Sequence, residues 1–162
     1  MNKLCCVLST FFLLSCQTTT YFIVRHAEKE TVTTMTQDVP LSAAGKERAE
    51  ALKTILLPQH IDHIYSTNTL RTTGTAMPLS GTIGLMIETY DPRDNSFVTR
   101  LKKINKGNVL VVGHSNTVDD MVNSLTGEIK IKSDLPDSQY GDLFIVKRKG
   151  KNYRFETKHF GK

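Results

Sequence analysis

Apolar residues along the chain gather in four short continuous runs, separated by stretches with helical spacing. The runs are "YFIVRH" (21–26), "IDHIYST" (61–67), "IGLMIETYD" (83–91) and "NVLVVGHS" (108–115). They are rich in β-branched residues and do not alternate strictly, which predicts strands buried on both faces, as in a parallel sheet. Between the first two lies "AAGKERAEALKTILL", with Ser42 as N-cap, Ala49, Leu52 and Leu56 on one face, and Pro58 just past the end. "NTLRTTGTAMPLS", weakened by Gly74, "NSFVTRLKKIN" and "TVDDMVNSL", stopping at Gly127, read as three further helices. This alternation predicts an α/β three-layer sandwich with a mostly parallel sheet. The tail "DLFIVKRKGKNYRFETKHF" alternates more and carries a turn signal in "RKGKN", predicting a hairpin at the sheet edge.

The opening "MNKLCCVLSTFFLLSC" follows another pattern. One Lys precedes an uncharged apolar run from Leu4 to Leu14, too short to span a bilayer but suited to the core of a signal peptide. Its end, "LLSC", resembles the bacterial lipobox. That resemblance implies cleavage between Ser15 and Cys16, with a lipid on Cys16. The expected organisation is a signal peptide at 1–15, lipidated Cys16 and a short coil tether to residue 20, and one domain at 21–162. The protein would then be held at a bacterial membrane through Cys16, facing the periplasm or the exterior. All three cysteines lie in this segment, so the expected domain has no disulfide, thiolate nucleophile or zinc–thiolate site.

Length and composition fit one folded domain: 162 residues, 39% hydrophobic and 23% charged. The formal charge of +5 is spread along the chain. No basic stripe is interleaved with aromatics, so a nucleic-acid partner is not expected. A mild positive balance does help attract small anions.

Ligands of open α/β sheets bind outside the carboxyl ends of the strands. The first predicted strand ends in Arg25 and His26; the second ends in Ser66 and Thr67, with Arg71 just beyond. The third ends near Glu88 and Asp91, and the fourth ends in Gly113, His114 and Ser115. Singly, each of these is an ordinary surface residue. Together, parallel neighbouring strands would bring two His and two Arg to one edge, with a carboxylate or two. Two guanidinium forks match phosphate oxygens. One imidazole held in one tautomer can attack phosphorus; the other, protonated, can stabilise charge on the transferring oxygens. A carboxylic acid can protonate the leaving alcohol. This set requires neither metal nor cofactor.

In order and approximate spacing, "FIVRHAEK", "LSAAGKERAEAL", "IYSTNTLRTTGTA" and "VLVVGHSNT" resemble the histidine phosphatase superfamily in its phosphoglycerate mutase-like branch. The compact length is similar to the small phosphohistidine-phosphatase type. The resemblance implies transient phosphorylation of His26, with Arg25, Arg71 and His114 forming a substrate-binding phosphate pocket. The substrate would be a small phosphorylated molecule or a phosphoprotein. Ala27 stands where the family usually has Gly. The general acid has no clear counterpart: Asp91, turned by Pro92, is favoured over Glu88, and Glu28 is a third candidate.

Other polar residues read more plainly. His60 and His63 flank a strand entrance and would point to opposite faces, His159 is a surface residue, and Asp119 and Asp120 suit a helix N-terminus. The leading expectation is an exported phosphatase acting through phosphohistidine. A non-catalytic lipoprotein binding a phosphorylated ligand in the same pocket, and a cytoplasmic phosphohistidine-protein phosphatase, are the alternatives.

Overall fold

A computed structural model describes residues 17–31 and 38–161. The chain runs β1 (Thr18–Arg25), α1 (Ala43–Leu56), β2 (His63–Thr67), α2 (Leu70–Ile83), β3 (Ile87–Tyr90), α3 (Phe97–Lys103), β4 (Gly107–Gly113), α4 (Val118–Thr126), β5 (Asp142–Lys149) and β6 (Asn152–His159). One six-stranded sheet has the order β3-β2-β4-β1-β5-β6. The first four in that order are parallel, and β5 and β6 form the antiparallel hairpin at the edge. Its two-residue turn places Gly150 at φ 62°, a conformation glycine adopts without a Cβ penalty.

Strand alternation sorts the core into two layers. Tyr21, Ile23, Val109, Val111, Phe144 and Val146 pack with α3 and α4 through Phe97, Leu101, Val118, Val122 and Leu125. Phe22, Val24, Leu110, Val112, Leu143 and Ile145 face the other way, onto Leu52 and Leu56 of α1 and Ala76 and Leu79 of α2. The continuous apolar runs are therefore strands covered on both sides, as their composition implies. Ser42 caps α1 as expected, its hydroxyl accepting from the Gly45 amide at 3.1 Å.

Several boundaries differ from the sequence reading. The expected coil up to Thr20 is mostly strand: Thr18 pairs with Lys149, and Thr19 pairs with Gly107 and Arg148. Thr19 is fully buried and donates its hydroxyl to the Ile104 carbonyl at 2.8 Å, so these β-branched residues extend the ladder. Helix α2 passes through Pro78 to Ile83 and ends at Gly84, leaving only four residues to β3. His60 lies in a left-handed turn ahead of β2, and only His63 is in the strand. Residues 1–16, with the expected signal peptide and Cys16, lie outside the described residues. Among the described residues, no helix is long and apolar enough to cross a membrane.

Candidate active site

The carboxyl ends of β1, β2 and β4 bring together the side chains that the sequence singles out. His26 follows β1, and its amide donates to the Gly113 carbonyl at 2.9 Å, locking the end of β1 to that of β4. His114 follows β4 directly, and Arg71 sits on the first turn of α2 beyond the end of β2. Arg25, His26, Arg71 and His114 line one polar cavity of about 540 Å³. The imidazole centroids are 5.6 Å apart with planes at 68°.

His26 is buried, and its Nδ1 lies 2.8 Å from the Ala27 carbonyl. A carbonyl only accepts, so Nδ1 carries the proton and Nε2 keeps its lone pair. Burial holds the ring neutral, lowering its pKa to about 3; the Ala27 bond opposes this, while Arg25, Arg71 and His114 add to it. Ala27 does not have a positive φ, and its amide donates to Thr75 Oγ1 at 2.9 Å. Its methyl packs with Leu41 and Ala49, which explains how an Ala is accommodated there.

His114 is oriented by a relay of threonines. Its Nε2 lies 2.8 Å from Thr67 Oγ1, which donates to Thr72 Oγ1 at 3.0 Å; that hydroxyl donates to the Thr67 carbonyl at 2.8 Å. In this chain Nε2 is the donor, which leaves Nδ1 as an acceptor facing Arg71 Nη2 at 3.5 Å. Burial, then Arg71 and Arg25, lower the His114 pKa to about 4. The sequence named Thr67 only as a strand end. Thr67 is thus the side chain that orients His114.

Arg25 is mounted by a loop the sequence reading left unassigned. Its Nη1 donates to the Pro136 carbonyl at 2.7 Å, its Nη2 meets Asp137 Oδ1 at 3.3 Å, and its guanidinium carbon lies 4.2 Å from the centroid of the Tyr140 ring. Its Nε is buried and has no hydrogen-bond partner among the described residues.

The expected acids are placed elsewhere. Asp91 accepts from the Arg93 amide at 2.9 Å and from its Nε and Nη2 at 3.1 Å, which holds its carboxyl below the usual range. It lines a neighbouring cavity with His114, and not the one that contains His26. Glu88 faces His63 at 3.8 Å on the sheet edge. Glu28 is gripped by Arg48, whose Nη2 is 2.7 Å away and whose Nη1 bonds the Phe160 carbonyl, so it braces the turn after His26. Among the described residues, no cluster of three or more His, Cys, Asp or Glu suited to a metal ion is present.

A model of the histidine phosphatase superfamily (branch 1) matches residues 21–93, the stretch holding Arg25, His26 and Arg71. In its fold the chain is similar to solved phosphohistidine phosphatases. A protein histidine phosphatase SixA complexed with tungstate has 18% identity and a TM-score of 0.68, over 86% of this chain and 96% of that one. A protein assigned as the phosphohistidine phosphatase SixA of Agrobacterium tumefaciens gives 18% and 0.66, over 86% and 97%. YhfR of Bacillus stearothermophilus gives 16% and 0.65, over 84% and 94%. A search of curated proteins finds no match.

Proposed function

We propose that this protein hydrolyses phosphomonoesters or phosphoramidates through a phosphohistidine on His26. The observation that carries the reading is the His26 ring: neutral, tautomerically fixed by Ala27, with Nε2 free beside Arg25, Arg71 and His114. Cationic and imidazole donors around the cavity suit an oxyanion, and the orphaned Nε of Arg25 is a donor for one of its oxygens. The tungstate in the SixA structure is an oxyanion of similar shape to phosphate.

The steps follow from these groups. Arg25 and Arg71 hold two phosphoryl oxygens. A bound dianion offsets the charge of the arginines, so His114 takes up a proton on Nδ1 and donates it to a third oxygen. His26 Nε2 attacks phosphorus as the bond to the leaving group breaks. Water then attacks the phosphohistidine, and the P–N electron pair returns to Nε2. A phosphoramidate leaves as a nitrogen base and makes less demand on an enzyme acid than an alkyl ester does. Replacing His26 with Ala is expected to abolish turnover while leaving a folded protein; turnover retained in that variant would overturn the mechanism.

We further propose that the domain is tethered to a membrane through a lipid on Cys16. Because β1 starts at Thr18, a lipid there would leave only Gln17 as a spacer. The catalytic edge lies at the opposite end of β1, so the cavity would open away from the bilayer, toward soluble substrates. Palmitate labelling that is lost in Cys16→Ser would support the anchor; an unlabelled full-length chain in the cytosol would refute it.

A further inference from the structure

Resting on the phosphatase reading, we infer that Asp120 is the catalytic residue that gives the leaving oxygen its proton and later takes one from water. Two observations carry this. Asp120 lines the cavity with His26 and His114, and no side chain among the described residues hydrogen-bonds to its carboxylate. Asp120 also lines an adjoining cavity of about 290 Å³, whose wall includes Phe97, Val98 and Met121. Asp120, Thr117 and Pro92 form the boundary between the two. With the phosphoryl group held by Arg25 and Arg71, a leaving group directed into the second cavity puts the scissile oxygen at that boundary.

Apart from the buried Asp119, the other carboxyls that the sequence and the site bring into question face partners of their own. Asp91 is held by Arg93, Asp137 by Arg25, Glu28 by Arg48, and Glu88 faces His63. Asp119 is buried and does not line the cavity that holds His26. Asp120 therefore has an assignable role with atoms and charges balanced. In the first step, His26 Nε2 bonds to phosphorus, the P–O bond to the alcohol breaks, and the alkoxide takes the proton of the Asp120 carboxylic acid. In the second, a water oxygen bonds to phosphorus, the P–N bond breaks, and the water proton passes to the Asp120 carboxylate.

The test compares two substrates in wild type, Asp120→Asn and Asp120→Glu. One is an alkyl phosphate with a poor leaving group, and the other is para-nitrophenyl phosphate. In Asp120→Asn, kcat/KM for the alkyl phosphate is expected to fall about 100-fold or more. For the aryl phosphate it should fall less than about tenfold, while phosphoenzyme accumulates as a burst because water is no longer deprotonated. Asp120→Glu should recover part of the alkyl activity. Equal losses on both substrates, or no loss, would overturn the assignment of Asp120 alone. Wild-type protein inert toward both would instead overturn the phosphatase reading on which it rests.

Discussion

His26 turns its Nδ1 toward the carbonyl of its neighbour Ala27 at 2.8 Å, so the protein fixes its candidate nucleophile with a bond made one residue away. No distant side chain has to arrive for the tautomer to be set. The remaining shape of the site depends on how the surrounding elements hold that short turn, and this yields separate expectations.

The first concerns Thr67. Its hydroxyl is the partner that defines the tautomer of His114, and it passes the bond on to Thr72 within the buried end of β2. Thr67→Val keeps the shape but removes the acceptor. Losing one buried hydrogen bond is worth roughly 1–3 kcal/mol, so kcat is expected to fall about 10- to 100-fold. Steady-state kinetics with thermal melting as a fold control check this; Thr67→Ser should recover most of the rate.

Tyr140 offers a test of ring against hydroxyl. Its ring lies 4.2 Å from the Arg25 guanidinium, whereas its hydroxyl is a marginal 3.5 Å from Nη2. Tyr140→Phe should therefore bind phosphate almost as the wild type does. Tyr140→Ala loses a cation–π contact of about 1 kcal/mol, so inhibition by inorganic phosphate should weaken roughly fivefold. Competitive inhibition constants measure both.

Gly45 lies on the first turn of α1, where a Cβ would come within 2.0 Å of the Glu28 carbonyl oxygen. Backbone cannot swing aside as a flexible side chain can. Gly45→Ala should push the His26–Glu28 turn away from α1, lowering the melting temperature and activity together. Activity at the wild-type level in a folded variant would show that the turn is not held this way.

Acid should destabilise the protein through its two site imidazoles. The folded pKa values, about 3 for His26 and about 4 for His114, lie below the ordinary histidine value, so the unfolded chain binds more protons in between. Their contribution is fully present above about pH 6.5 and is lost as pH falls toward the folded values. For the buried His26 alone this amounts to roughly 2 kcal/mol between pH 7 and 5. Denaturant unfolding across that range should show the loss. Replacing His26 with Gln should flatten part of the slope.

The sequence made the layers legible because the strand runs Tyr21–Val24 and Val109–Val112 are covered on both faces, and such runs leave a continuous apolar signature. Arg25, His26, Arg71 and His114 were legible because each sits at or just past a strand end, and parallel topology carries strand ends to one edge. What could not be read depends on contacts between distant segments. Thr18–Thr20 look like coil until β4 and β5 are placed beside them. Asp91 looked available as an acid, but an Arg two residues on claims it. The mount of Arg25 comes from residues 136–140, more than 100 positions away, and a loop without periodicity carries no signal of where it docks. Asp120 read as a helix-dipole residue because nothing local shows that α4 begins at the wall of the cavity.

The central claim is a covalent bond between phosphorus and His26. Wild-type protein should be mixed with a phosphodonor labelled at phosphorus, quenched within milliseconds into alkaline detergent, where a P–N bond survives, and mapped by peptide mass spectrometry. The account predicts one phosphorylated peptide, modified on the Nε2 atom of His26, that forms and decays at rates compatible with turnover and is missing from His26→Ala. Hydrolysis at the same rate with no phosphoenzyme, or with label on another residue, would contradict it.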